Sequence, residues 1–488
     1  MHQRRWTSVA GVLLAGWIAS PVAGQEQPAG RTLVLSLEDA LRIASGENET
    51  IWVAEAGVQR ALGSERIVRS QLFPQLNGSA QYTRTLRSQF DDINFGGGDG
   101  GVDLPFGREN QYTLGLALNQ LVFDGGRVFA QRRAAEARRR SAEIDVGSAQ
   151  AQTLLDVTRS YFDAQLADRL VTIAERSLQQ SEELLRQTEV ARRVGDRSEF
   201  ELLRARVARD NQLPTLIRRR TARSEAYLRL KQLLNVRPED ELTLTTGVEE
   251  EIPRFSTSEE VIPDERAPVR QAAENVLANE AQLSEARGQR LPSVSLSSSY
   301  SPVAYPANGA PEPDEFQENW TVSVNLSVPI LTWGRLRGNE EVAQGNLSEA
   351  RARLVQTREA AVFDDRDARN ALADAQATLA GSASTAEEAA RAYSIAQLRF
   401  REGIASQIEL SDAQLLLDQA EVNRASALRD LQVARARLAL LENLPLTSGI
   451  SGVAASFQTQ QVPSQSTTTG TSNSLATSPQ AVSGAPIP

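Results

Sequence analysis

The sequence predicts a mainly helical protein with a small membrane-facing β part, laid out as a tandem repeat of helix, strand, strand, long helix and helix. Three observations carry this. The stretch 112–127 recurs 208 positions later, with Tyr112/Trp320, Thr113/Thr321, Leu118/Leu326, Gly126/Gly334 and Arg127/Arg335 paired without a gap. Trp320–Val328 alternates strictly: Trp320, Val322, Val324, Leu326 and Val328 fall on one face, and Thr321, Ser323, Asn325 and Ser327 on the other, the period of a strand. Each such strand then runs through glycine into a helical stretch of roughly 68 residues, on the order of 100 Å long and too long for one compact domain.

The chain's ends are read first. Arg4 and Arg5, the apolar run Val9–Ala19 and the small residues Val22-Ala23-Gly24 predict an export signal over 1–24. The alternative, a single membrane anchor, is disfavoured because the run is short for a span. No later stretch is long and apolar enough for a membrane helix, so an exported chain is periplasmic, secreted or an outer-membrane barrel. After Pro445 the composition shifts to Ser, Thr, Gln, Gly and Pro, a low-complexity tail over 445–488.

The first repeat is expected over 25–236. Gln25–Thr32 is a polar lead-in. Ser36 opens a helix with Glu38 and Asp39 at its positive end, bent near Gly46 and continuing to about Gln71. Phe73-Pro74 stops it. Leu76, Ala80 and Tyr82 alternate with Asn77, Ser79, Gln81 and Thr83, a first strand at about 76–85. A Gly/Asp-rich loop covers Arg87–Asn110, and a second strand covers about 111–122. The long helix spans about 127–194 with a coiled-coil-like seam that includes Leu154, Val157, Tyr161 and Ala164. Gly195-Asp196 makes a tip, Ser198 and Glu201 form a capping box, and a returning helix is kinked by Pro214.

Residues 237–263 form a connector of little regular periodicity. The second repeat then covers 264–444: a helix over about Pro268–Gln289, Leu291-Pro292, a strand at about 293–301, a Pro-rich loop Pro302–Asn319, a strand at about 319–329, and a long helix over about 335–402. Gly403 repeats Gly195, and Ser406/Ser198, Glu409/Glu201 and Asn443/Asn235 extend the match.

Composition excludes much. The chain has no cysteine, its one histidine is His2, and its net charge is −10. A mature chain without His or Cys rules out nucleophile–histidine catalysis and most zinc, copper or haem sites. The negative balance argues against nucleic acid, and no P-loop is present. No catalytic residue, metal site or cofactor is expected. Asp364, Asp365 and Asp367 are read as a solvated helical face.

Four strands, each with an apolar and a polar face, read as a wall between lipid and water. Tyr82, Tyr112, Tyr300 and Trp320 sit at the loop-proximal strand ends, where an aromatic girdle lies. A soluble sandwich is the alternative, disfavoured by polar faces that are small and uncharged. Four strands cannot close a barrel, and an open edge in lipid leaves backbone groups unpaired. The barrel must therefore be shared between copies of the chain.

The ordered set of features, taken twice, resembles the TolC family of outer-membrane efflux proteins over about Leu37–Asn443. The set comprises proline before the odd strands, Gly-Arg after the even ones and small-residue tips. The resemblance implies a homotrimer with a 12-stranded β-barrel in the outer membrane of a Gram-negative bacterium, continuous with an α-helical coiled-coil tunnel in the periplasm. It implies a connector in an equatorial belt. It also implies two partners, a periplasmic adaptor (membrane fusion) protein and an inner-membrane pump of RND or ABC type. Glu409 and Asp412 align with the family's lumen-facing gate carboxylates. Gly195, Ser198, Gly403 and Ser406 align with its adaptor-docking tips. The family's basic latch residue has no counterpart: Ala405 stands there, with Arg399 and Arg401 nearby. Two other readings compete with an export duct: a structural coiled-coil envelope protein without a pore, and a hydrolase using carboxylates alone.

Overall fold

The computed structural model describes residues 31–87, 109–195, 197–250, 252, 255, 262–306 and 309–447. The expected signal, most of the first loop, Asp196 and nearly all of the tail lie outside them. Residues 1–445 form one unit, and 446–488 are a second unit of which only Leu446 and Thr447 are described.

The strands assemble by their alternation. Strands β2 (Gln75–Arg84), β3 (Asn110–Phe123), β5 (Ser293–Tyr300) and β7 (Trp320–Ser327) form one antiparallel sheet in the order β2-β3-β5-β7. The short β6 (Val303–Ala304), inside the segment expected as loop, pairs with β3. Register puts Tyr82 opposite Tyr112, Leu76 opposite Leu118, Leu116 opposite Tyr300, Leu296 opposite Val324 and Val294 opposite Leu326. The apolar positions of all four strands thus share one face. The other face carries Asn77, Ser79, Gln81, Thr113, Asn119, Ser295, Ser297, Ser323 and Asn325, polar and uncharged. A bulge between Leu121 and Phe123 bends β3 as it leaves the sheet.

Glycine turns each even strand into a helix. Gly126 (φ 81°) and Gly334 (φ 86°) are the left-handed N-caps of α3 (Arg127–Arg193) and α6 (Arg335–Arg401), both 67 residues. Each is about 100 Å long. α3 pairs with α4 (Glu199–Leu233) and α6 with α7 (Gln407–Ala439), and α3 also packs on α7. Nearer the sheet, α3 lies between α2 (Glu49–Ser70) and α5 (Ala267–Gly288), and α5 packs on α6. α4 runs through Pro214 as one helix. Ala and Ser recur along the seams beside larger apolar residues, and where they do the helices can approach closely.

Two expectations change here. The first helix is broken: α1 (Leu37–Glu47) ends and α2 begins at Asn48, in an extended conformation (φ −86°, ψ 126°). Its side chain accepts the Thr50 N–H at 2.9 Å and donates to the Leu233 carbonyl at 3.2 Å, which fixes the break. The lead-in and the connector also contain strands: β1 (Thr32–Leu35) pairs in parallel with β4 (Glu241–Leu244).

These strands cover the largest core, around the middle of the long helices. Leu35, Leu37, Leu41, Leu154, Val157, Phe162, Leu230, Leu242 and Ala436 are buried together there. Tyr161 crosses it, donating its hydroxyl to the Leu35 carbonyl at 3.1 Å and accepting the Thr246 N–H at 3.0 Å. The connector is thereby tied to α3.

Candidate functional site

The sheet is the first part of the site. Val322, Val324 and Leu326 on β7 and Leu76 on β2, the two outer strands, are exposed, as are Leu114 and Leu116 on β3. In water this face would cost roughly 25 cal/mol per Å² of apolar surface left uncovered. It is a surface made for hydrocarbon. The girdle candidates lie on it in two pairs: the Tyr82 and Tyr112 rings are 4.7 Å apart, and Tyr300 meets Trp320 edge-on at 6.4 Å. Their polar atoms are engaged. Tyr82 and Asn110 share a hydrogen bond of 2.8 Å, Tyr300 donates to Glu318 at 3.0 Å, and Trp320 donates to Ser298 at 3.0 Å. On the opposite face small polar side chains bond across strands, as Asn325 does to Ser297 at 3.4 Å.

The helix tips are the second part. Gly195 (φ 85°) and Gly403 (φ 74°) each make the left-handed turn that ends a long helix. Ser198 accepts the Glu201 N–H at 3.3 Å while Glu201 accepts the Ser198 N–H at 2.9 Å, a complete capping box. Ser406 accepts the Glu409 N–H at 3.2 Å, but the Glu409 carboxylate turns elsewhere, to Arg399 at 3.0 Å. Arg399 comes from the last turn of α6. Glu409 and Asp412 are three residues apart on an exposed face of α7. The two tips also touch: the Arg197 guanidinium lies 5.0 Å from the Phe400 ring. Beneath them Leu184, Ala396 and Leu410 form a small apolar cluster.

Sequence reasoning missed the polar groups buried between these regions. Asp364 is not solvated. It is 3% exposed and pairs with the fully buried Arg266 at 2.8 Å and with Arg437 at 3.0 Å. Arg266 also donates to the carbonyls of Ala361, Leu441 and Leu444. It binds the start of α5 to the middle of α6 and the chain beyond α7. A lone Arg before an Ala-Pro helix start carries no local signal of this, because its partners lie about 95 and 175 residues away. Farther toward the tips, Gln414 on α7 donates to the Ser177 hydroxyl at 3.1 Å, and burial raises the Asp418 carboxyl above the usual range despite its bond to Ser177. Among the described residues no group of His, Cys, Asp or Glu is arranged to hold a metal ion.

The pattern that defines outer membrane efflux proteins matches residues 40–236 and 263–443, most of both repeats. The chain belongs to the outer membrane efflux protein family. The family is one of transport channels rather than enzymes, and this efflux protein is an outer-membrane channel of a Gram-negative bacterium. It is 25% identical over 395 residues to the solvent efflux pump outer membrane protein SrpC of Pseudomonas putida, covering 78% of each chain. It is 25% identical over 397 residues to the pyoverdine export outer membrane protein OpmQ of Pseudomonas aeruginosa, covering 79% of this chain and 80% of that one. The fold matches the CmeC outer membrane channel of Campylobacter jejuni with a TM-score of 0.71 at 18% identity, over 86% of this chain and 88% of that one. It matches VceC of Vibrio cholerae with a TM-score of 0.67 at 18% identity, over 83% and 96%.

Proposed function

We propose that three copies of this efflux protein close a 12-stranded barrel in the outer membrane and continue it as one α-helical tunnel gated at the periplasmic tips. The observation that supports this best is the sheet. It has one face fit for lipid, one uncharged polar face fit for water, and two outer strands, β2 and β7, whose outer edges pair with nothing among the described residues. Hydrocarbon does not tolerate an open sheet edge, and a single layer of four strands has no second layer to cover its apolar face.

On this reading Glu409 and Asp412 line the tunnel entrance as two rings of three carboxylates, favouring cations and resisting constriction. The Arg399 pair relieves part of that repulsion and holds the tip of α7 against α6. Gly195, Ser198, Gly403 and Ser406 present the tip turns to a periplasmic adaptor, which couples the channel to an inner-membrane pump of RND or ABC type. The channel itself is passive. Residues 1–24 direct export and are removed, and 237–263 belongs to the equatorial belt.

Small organic molecules are the cargo class this reading supports. The barrel's inner face offers hydrogen bonds but no fixed charge on its strand positions. SrpC and OpmQ are named for solvent efflux and pyoverdine export. The test joins two measurements. Purified protein in detergent is expected to run as a heat-sensitive trimer by light scattering and denaturing gel, and to give discrete conductance steps in planar bilayers. A monomer that stays in solution without detergent and leaves bilayers silent would leave the pore-free coiled-coil reading standing instead.

A further inference from the structure

Trp333 is the residue the fold explains least. It ends the stretch Val328–Trp333 between β7 and α6, adopts φ 46°, and is 90% exposed. A bulky side chain at positive φ is strained. In the first repeat the same position, 208 residues earlier, is Gly125 at φ 72°. There the glycine is needed for close approach: a Cβ on Gly125 would meet the Gly288 carbonyl oxygen at 2.5 Å and the Leu291 Cβ at 2.8 Å. So the junction after β3 packs backbone to backbone on the end of α5. The junction after β7 carries the largest side chain available, and among the described residues nothing covers it.

The chain shows what such a junction faces. α2 and α5 are both 22 residues long, and both their first and last residues lie 218 apart. Gly288 and Leu291 therefore correspond to Ser70 and Phe73 at the end of α2. α3 is flanked on both sides: Arg139 pairs with Glu65 of α2 at 3.0 Å, while Gln131 reaches Glu285 of α5 at 2.6 Å and Arg140 reaches Glu274 at 2.9 Å. Accordingly it buries Ala134 as well as Ala135. Near the sheet, among the described residues, α6 is flanked on one side only, by α5. Ala343, the counterpart of Ala135, is buried against α5, but Val342, the counterpart of Ala134, is 65% exposed. On α2, Ile67 is 66% exposed, and Phe73 just beyond the helix is also exposed. Within the chain the seams run α2·α3, α3·α5 and α5·α6. The one that would continue the series joins α6 to an α2 that the chain has already used.

We infer that Trp333 seats on Phe73 of a neighbouring copy, an aromatic plug at the base of the barrel between each pair of copies. The contact continues the seam between the unpaired edges β7 and β2, and it rests on the ring reading proposed above. It goes beyond that reading in what it says of the joint. Inside the chain the joint is the glycine pair Gly125 and Gly288. Between copies Ser70 replaces Gly288, the backbones stand farther apart, and Trp333 fills the space. The strain at Trp333 is offset by apolar contact that exists only in the assembled ring.

The chain has no cysteine, so added pairs report cleanly. Phe73→Cys with Trp333→Cys is expected to give, on mild oxidation of the purified oligomer in detergent, a reductant-sensitive covalent ladder absent from either single variant. Trp333→Gly, which removes the strain, is expected to lower the temperature at which the oligomer dissociates. A Trp that merely tolerates its strain would raise it. A variant with Trp52 and Trp320 changed to Phe, freed of its signal and placed in vesicles of brominated phosphatidylcholine, is expected to fluoresce with little quenching. Quenching as strong as that of a Trp320-only variant would put Trp333 in lipid and overturn the contact. A trimeric mass without the 73–333 cross-link would also overturn it alone, whereas a monomeric mass would take the ring down with it.

Discussion

The mid-helix core and the sheet of this efflux protein are built on opposite rules. In and beside that core, Leu37, Leu41, Tyr161, Phe162 and Leu230 are buried, and even the charges Arg266 and Asp364 are enclosed and paired. In the sheet, Leu76, Val322, Val324 and Leu326 are exposed, and the polar side chains form the other face. The same residue types obey different solvents. Around the mid-helix core the alternative to burial is water, so the chain folds inward. Around the sheet the alternative is hydrocarbon, so nothing is gained by hiding valine, and only the backbone must be paired.

This contrast can be broken most severely among the enclosed charges. Asp364→Ala leaves Arg266 buried without its carboxylate and is expected to cost about 3–5 kcal/mol, read as a large fall in the unfolding midpoint. Replacing both, as Arg266→Met with Asp364→Leu, is expected to recover most of the loss, which separates an orphaned charge from lost packing. The sheet is next. Val324→Arg is expected to destabilise the membrane-inserted form by about 2–4 kcal/mol, while the equivalent change on the other face, Asn325→Arg, shifts ion selectivity with little loss of assembly. Equal losses from both would mean the two faces see one solvent.

Smaller effects belong to the tips and the seam above them. Glu409→Ala with Asp412→Ala is expected to raise single-channel conductance and reduce cation selectivity in planar bilayers. Unchanged conductance and selectivity would reject the gate assignment. Arg399→Ala alone breaks a half-exposed ion pair worth about 0.2–1 kcal/mol and should raise the open probability modestly. Smallest is Asp418→Asn. Burial holds the Asp418 carboxyl above its unfolded value, with Glu421 adding repulsion and the Ser177 bond opposing both. The group therefore favours the folded seam at low pH, and that contribution is lost as pH rises through the raised value. The variant is expected to gain thermal stability at neutral pH relative to the parent. The gain should vanish below about pH 3, where the unfolded carboxyl is protonated too.

Some of this was legible because the signal is local. Alternation over Trp320–Val328 names a two-faced strand from side chains one residue apart, and Gly334 then Arg335 marks where the period changes from 2 to 3.6. The tips are equally readable: Gly, then Ser three residues on, then Glu three beyond that spells turn and cap twice. The break at Asn48 is less so, since its bond to Leu233 spans 185 residues. β1 and β4 were invisible because four-residue strands have almost no period, and each exists only through the other. At the tips, Glu409 and Asp412 could be named from resemblance, but the Glu409–Arg399 pair needed the tip to be folded.

By itself the sequence determined the order of the sheet's four main strands and of the long helices, the two faces of those four strands, and the length of the long helices. Those follow from periodicity and composition, which need no knowledge of what lies across the chain. Only the tertiary structure decided that Asp364 is an enclosed partner of Arg266, that the connector becomes a strand, and that Val342 and Trp333 stay uncovered. Whether a group is buried depends on what folds against it, and for a wall element the covering surface lies far along the chain or on another copy.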